Sequence, residues 1–200
     1  MDTGRQSAEQ RRKRLRQRMK KGLVPLAPGF EEIETVTVVD ILRRAGARVV
    51  LAGTEEGLIE GSRGVKIMAE SHVDQVDPHD FDLIVLPGGQ PGTTHLQKNP
   101  RVLEILKKMH QANKQIAAIC AAPMVLQTAG ILKDCAITSH PSVRKDLEEV
   151  KYSESRVVID GNIITSRSPG TALEFALKLV EILFGKDRME AVNAGVLAKI

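Results

Sequence analysis

The stretch Ile116-Ala117-Ala118-Ile119-Cys120-Ala121-Ala122-Pro123-Met124-Val125-Leu126 decides how this chain is read. Its first four residues are apolar without alternation, which predicts a strand buried on both faces of a sheet. Proline suits the first turn of a helix, so Ala122–Ala129 is predicted helical, with Gly130 where a C-cap belongs. Cys120 stands alone on the turn between the two. The run is the longest apolar one in the chain, and a bilayer-spanning helix needs about twenty residues, so no membrane crossing is expected.

The same alternation continues on both sides. Strands are predicted at Leu23–Ala27, Val49–Ala52, Leu83–Leu86, Ala136–Thr138, Val157–Ile159 and Ile163–Thr165, and helices at Glu32–Ala45, Arg101–Asn113, Thr171–Leu183 and Asp187–Ala194. Gly46 marks a helix end, and Asn99-Pro100 reads as cap plus first-turn proline. Leu58–Glu60 and Val65–Met68 read as a small hairpin around Ser62-Arg63-Gly64. The fold class is α/β, with a mostly parallel sheet between two helix layers. Pro25 is out of place here, because it removes a donor from an interior strand.

Two hundred residues suit one packed domain, and 42% hydrophobic with 27% charged residues describe an ordinary globular chain. The net charge of +4 is unevenly placed. Residues 1–21 carry nine Lys/Arg against Asp2 and Glu9, while the rest carries 20 basic and 23 acidic side chains. Residues 1–21 are therefore read as a solvated basic arm and 22–200 as a single domain, with translation starting at Met1 or Met19. Five aromatic residues give no base-stacking platform, so nucleic acid is not expected for the body. Two cysteines make no disulfide framework, and no apolar stretch follows the basic N-terminus, so a cytoplasmic home is expected.

In an open parallel sheet, ligands bind beyond the carboxyl ends of the strands. Four groups fall at that edge: Pro28 to Glu34 after the first strand, Pro87-Gly88-Gly89, Cys120, and His140 after Ala136–Thr138. The small Ala118 and Ala122 flank Cys120, as a nucleophile elbow requires, and a following helix N-terminus favours thiolate over thiol. A buried structural cysteine stays an open alternative on this stretch alone. The amides of Gly88, Gly89 and Ala121 are candidate oxyanion donors, against a plain strand-end turn. Glu31 and Glu32 are explained by the helix dipole, whereas Glu34 can point inward, where a neighbouring thiolate would raise its pKa and let it donate to sulfur. His140 is a general base or a loop histidine. The other histidines and the cysteines lack metal-ligand spacing, and no nucleotide loop is present, so neither metal nor cofactor is expected.

Taken in order, Ala27 to Val36 (APGFEEIETV), Asp40 to Gly46 (DILRRAG), Leu86 to Gly89 (LPGG), Ala117 to Pro123 (AAICAAP), Thr138 to Pro141 (TSHP), Tyr152 to Val157 (YSESRV) and Thr165 to Thr171 (TSRSPGT) resemble the ThiJ/PfpI superfamily. The similar branch is that of the parkinsonism-associated protein deglycase and its bacterial relatives. The resemblance spans about residues 21–200. It implies a flavodoxin-like three-layer sandwich, a homodimer, Cys120 as an oxidation-sensitive nucleophile, and Glu34 as its protonated partner. Gly89 and Ala121 would complete the site, His140 would stand nearby, Arg63 would approach across the dimer, and Pro169 would belong to the surroundings of the sulfur. The implied chemistry is glutathione-independent glyoxalase activity on methylglyoxal, or hydrolytic removal of early glyoxal adducts from proteins. An oxidative-stress sensor or chaperone using an oxidisable Cys120 is the implied alternative. Ala121 stands where the peptidase branch has His, and Ser142 follows His140-Pro141 where glutamine amidotransferases have Glu, so both those activities are disfavoured.

Overall fold

The computed structural model describes residues 19–198. The basic segment 1–18 lies outside the described residues. In chain order the strands and helices are β1 (Lys21–Leu26), α1 (Glu32–Arg44), β2 (Arg48–Gly53), β3 (Leu58–Glu60), β4 (Lys66–Met68), β5 (Ser71–His72), β6 (Leu83–Leu86), α2 (Gly92–Lys98), α3 (Pro100–Gln111), β7 (Gln115–Ile119), α4 (Pro123–Thr128), β8 (Ala136–Ile137), β9 (Lys151–Tyr152), β10 (Val157–Asp160), β11 (Ile163–Ser166), α5 (Ala172–Phe184) and α6 (Lys186–Val196). β1 already opens at Lys21, and the Lys20 carbonyl accepts the Arg48 N–H at 2.9 Å, so the last two residues of the segment read as an arm belong to the folded domain.

Seven strands form one sheet in the order β10-β11-β7-β6-β1-β2-β5. All neighbours are parallel except the edge pair β10–β11. Successive side chains of a strand point to opposite faces, and the core divides accordingly. Leu23, Ile84, Ile116 and Ala118 pack with Val102, Ile105 and Leu106 of α3 and Leu126 of α4. Val24, Leu83, Val85, Ala117 and Ile119 pack on the other face with Leu42 of α1 and Phe175 and Leu179 of α5. The result is the expected flavodoxin-like three-layer sandwich, with a fully buried central sheet.

Local signals are obeyed at several ends. The Asn99 side chain accepts from Arg101 and Val102 N–H at 3.0 and 3.1 Å, with Pro100 opening α3. β3 and β4 pair antiparallel around residues 61–65, as predicted. Pro25 is tolerated in β1 because the ladder to β6 registers only Gly22 and Leu23, while that to β2 runs the whole strand. Two expectations need correction. The strand at Ala136–Thr138 is shorter and leaves the main sheet, pairing with β9 in a separate parallel pair. Thr138 N–H instead donates to the Thr165 hydroxyl at 2.9 Å, which anchors this segment beside β11. Residues 92–98, where no element is predicted, form α2.

Candidate functional site

β6, β1 and β7 are adjacent, and the chain leaves β1 toward β2 on one side while β6 flanks it on the other. The loops after these strands meet where the strand order reverses, which is where an open α/β sheet leaves a crevice. Cys120 directly follows β7 with φ +64°, a left-handed conformation that a non-glycine residue adopts at a cost of about 1–3 kcal/mol. Two hydrogen bonds hold it there: Cys120 N–H donates to the Ser166 carbonyl at 3.0 Å, and His140 N–H donates to the Cys120 carbonyl at 2.8 Å. Ala118 and Ala122 are fully buried beside it, so the sharp turn is possible only with small neighbours. The residue itself is half-buried.

Glu34 is fully buried in the first turn of α1. Its Oε2 accepts the Gly88 N–H at 2.8 Å. Its Oε1 meets no nitrogen or oxygen donor among the described residues, and the remaining group facing the carboxyl is the Cys120 thiol. A Cβ on Gly88 would stand 2.7 Å from Cys120 Cβ and 2.9 Å from Glu34 Oε2, so the contact between acid and elbow requires glycine there. Gly88 thus spends its N–H on Glu34 and is not an oxyanion donor, which corrects its expected role. The amides of Ala121 and Gly89 instead face the Cys120 sulfur.

Burial raises the Glu34 pKa from 4.5 to about 7, with the charge of Glu31 adding to it and the Gly88 amide and Cys120 thiol opposing. Burial also pushes the Cys120 thiol up to about 12, followed by the charge and hydrogen bond of Glu34, against the two amides. This overturns the expectation of an acidified thiol. The helix after the elbow has only six residues and begins at Pro123, so its dipole does not outweigh burial beside a carboxylate. The two groups titrate as a pair. When Glu34 holds the proton, both of its contributions to the thiol vanish and burial alone opposes the two amides.

His140 is half-buried, and its Nδ1 lies 2.7 Å from the Ser142 hydroxyl and accepts the Ser142 N–H at 3.2 Å. It braces the elbow through its main chain, while its ring is oriented by Ser142. Arg63 sits on the β3–β4 turn with an exposed side chain whose Nη1 donates to the Ser62 carbonyl at 3.1 Å. Within one chain it makes no described contact with Cys120 or Glu34. Pro169 opens the short turn 169–171 after β11, the strand whose Ser166 carbonyl holds Cys120. Sequence reasoning missed Ser166 and the capping role of Glu31, whose Oε2 accepts Glu34 N–H at 2.8 Å. An acid directly before a predicted helix was the available signal for the latter. Among the described residues no group of three or more His, Cys, Asp or Glu could hold a metal ion, and no helix is long and apolar enough to cross a membrane.

Residues 20–182 match the model of the DJ-1/PfpI family. The chain is 46% identical to protein DJ-1 homolog A of Arabidopsis thaliana over 83% of its own length but 43% of that protein, so it spans under half of that relative. It is 38% identical to the glutathione-independent glyoxalase DJR-1.2 of Caenorhabditis elegans, over 86% of this chain and 94% of the other. The crystal structure of Drosophila melanogaster DJ-1beta superposes with a TM-score of 0.88 at 42% identity, over 92% of this chain and all of that one. By fold, by sequence and by the ordered motifs around Cys120, the chain belongs to the DJ-1/PfpI family.

Proposed function

We propose that the protein is a cofactor-independent, cysteine-dependent enzyme acting on glyoxal and methylglyoxal, or on the early adducts these form with protein side chains. The observation that carries this reading is the Cys120–Glu34 pair: a half-buried thiol on a strained backbone against a buried carboxyl able to hold or release a proton near neutral pH. A glyoxalase-named relative at 38% identity supports the substrate class.

The chemistry follows from this pair. Glu34 takes the thiol proton, Cys120 attacks the aldehyde carbon to form a C–S bond, and Glu34 returns that proton to the oxygen, which gives a hemithioacetal and frees the carboxylate. The Gly89 and Ala121 amides lie beside the oxygen that becomes negative. Glu34 then moves the proton from the former aldehyde carbon to its neighbour through an enediol, which leaves a thioester on Cys120. Water cleaves the thioester, returning the thiol and releasing lactate, so methylglyoxal and one water are consumed. With an adduct as substrate, the C–S bond to Cys120 forms at the carbinol carbon as its bond to the side-chain nitrogen or sulfur breaks, the side chain leaves with the proton that Glu34 took from the thiol, and the resulting hemithioacetal follows the same course. His140 holds the elbow throughout.

Lactate formation from methylglyoxal tests the reading, and Cys120→Ser is expected to abolish it. Turnover surviving in that variant excludes the mechanism. Selective gain of two oxygens on Cys120 under mild peroxide, with negligible turnover, favours the sensor reading instead.

A homodimer belongs to the same proposal. Ile33 and Val36, one turn apart on α1, are 57% and 51% exposed, and Leu58 and Met68 on the adjoining hairpin are 60% and 59% exposed. These exposed apolar side chains support a contact surface between two copies of the chain. Sedimentation is expected to give twice the chain mass, with Val36→Glu shifting it toward one.

A further inference from the structure

Three hydrogen bonds close a ring at the start of α1. Glu31 N–H donates to the Gly88 carbonyl at 3.0 Å, Gly88 N–H donates to Glu34 Oε2 at 2.8 Å, and Glu34 N–H donates to Glu31 Oε2 at 2.8 Å. Both backbone groups of Gly88 are thus taken by the two glutamates, and the same Gly88 touches Cys120. We propose that Glu31 is the positioning residue of the Cys120–Glu34 pair: its carboxylate holds the Glu34 amide in the first turn of α1, its main-chain N–H ties that turn to Gly88 after β6, and together they set where the Glu34 carboxyl stands relative to the sulfur. The inference rests on the reading of that pair as the reacting groups.

Glu34 lacks any other means of orientation within its own turn. Its side chain has one fixed hydrogen bond, to Gly88, and its other oxygen has no nitrogen or oxygen donor. Rotation or slippage of the helix start by a fraction of a turn would carry the carboxyl away from both Gly88 and Cys120. The N-cap bond from Glu31 opposes that motion, because it ties the amide of Glu34 itself. The titratable groups facing Glu34 are Glu31 from its own cap and Cys120 from the elbow after β7, while the β6 end offers only an amide. Glu32, one residue nearer the cap than the intervening Ile33, turns instead to the β3–β4 hairpin. The Glu31 charge also acts directly, favouring the protonated form of Glu34.

The experiment is the rate of Cys120 alkylation by iodoacetamide against pH, on the full chain, for wild type, Glu31→Ala, Glu31→Asp and Glu34→Gln, with thermal unfolding of each. Wild type is expected to show an inflection near pH 7 that Glu34→Gln abolishes. Glu31→Ala is expected to lose most of that inflection and to react roughly ten- to a hundredfold more slowly. Glu31→Asp, which keeps a capping carboxylate, is expected to restore both. A Glu31→Ala protein that keeps the wild-type profile, whether or not its melting temperature falls, overturns the proposal, as does failure of Glu31→Asp to restore the profile. If Glu34→Gln already matches wild type, the reading of the pair has failed, and the role of Glu31 falls with it.

Discussion

Glu32 and Glu34 lie two residues apart on one helical turn and are both buried, yet the protein treats them oppositely. Glu32 faces the hairpin, where its Oε1 accepts the Arg63 N–H at 2.5 Å and the Val65 N–H at 3.4 Å and its Oε2 accepts the Ser62 hydroxyl at 3.1 Å. Burial opposes its ionisation, but the Arg63 amide and the other donors prevail and hold its carboxyl below the ordinary range. Glu34 faces the elbow, where complete burial and a neighbouring carboxylate outweigh a single amide and a thiol, and its pKa rises. Identical side chains become a fixed anion that fastens a turn and, in the proposed function, a proton carrier that serves a sulfur. The number of donors met decides which.

The largest test of this division is turnover. Glu34→Gln keeps shape and volume but removes the exchangeable proton, and it should lower lactate formation roughly 10²- to 10⁴-fold. Glu32→Gln should leave turnover per folded molecule within a few-fold of wild type. Equal losses in the two variants would break the comparison.

Stability against pH separates the same two residues next. Glu34 has a folded pKa of about 7 against 4.5 in the unfolded chain, so between those values the folded state binds more protons. Stability should therefore fall as pH rises through that window, by up to about 3 kcal/mol. Glu34→Gln should not show this fall and should overtake wild type in melting temperature toward pH 8. Glu32 has the opposite sign: its contribution is present above pH 4.5 and is lost as pH falls through its lowered folded value. Thermal scans from pH 3 to 8 on both variants check the two signs.

The sequence carries much of this site. Unalternating strands before Pro28, Pro87 and Cys120 are enough to bring three loops to one sheet edge, because parallel strands deliver all their carboxyl ends to the same side. Asn99-Pro100 and Gly46 mark real helix boundaries for local steric reasons. What stays hidden depends on distance along the chain. The donors that satisfy Glu32 come from Ser62 to Val65, about thirty residues away, and nothing near position 32 announces them. The direction of the Cys120 shift is hidden for the same reason, since it depends on burial and on the approach of Glu34 rather than on the elbow alone. α2 escapes because Gly92, Thr93 and Leu96 form its buried face, which leaves one large apolar residue and no readable period. β8 escapes because two residues of strand cannot declare which sheet they join.

A smaller perturbation acts on the elbow side alone. Gly88→Ala puts a methyl group within 2.7 Å of Cys120 Cβ and 2.9 Å of Glu34 Oε2, closer than packed carbons allow. The expected cost is about 1–3 kcal/mol of stability, together with slower alkylation of Cys120 and a Glu34 inflection displaced toward that of a solvated carboxyl. The hairpin side should be untouched, with wild-type hydrogen exchange at the Arg63 and Val65 amides. Exchange that quickens there as well would mean the two faces of the turn are not independent.

The smallest effect belongs to Glu32 itself. Gln at position 32 can still accept from the hairpin amides, but it exchanges charge-assisted bonds for neutral ones, which are about half as strong. With the Arg63 N–H and the Ser62 hydroxyl the strongest donors, the loss should be about 1–2 kcal/mol near neutral pH. For a chain of this size that is a fall of roughly 2–8 °C in melting temperature. Amide exchange should quicken at Arg63 and Val65, and turnover per folded molecule should stay near wild type. Because those amides lie on the turn that carries the exposed Arg63, a Glu32→Gln protein that keeps its melting temperature but loses turnover would move Glu32 from the frame of the site into its chemistry.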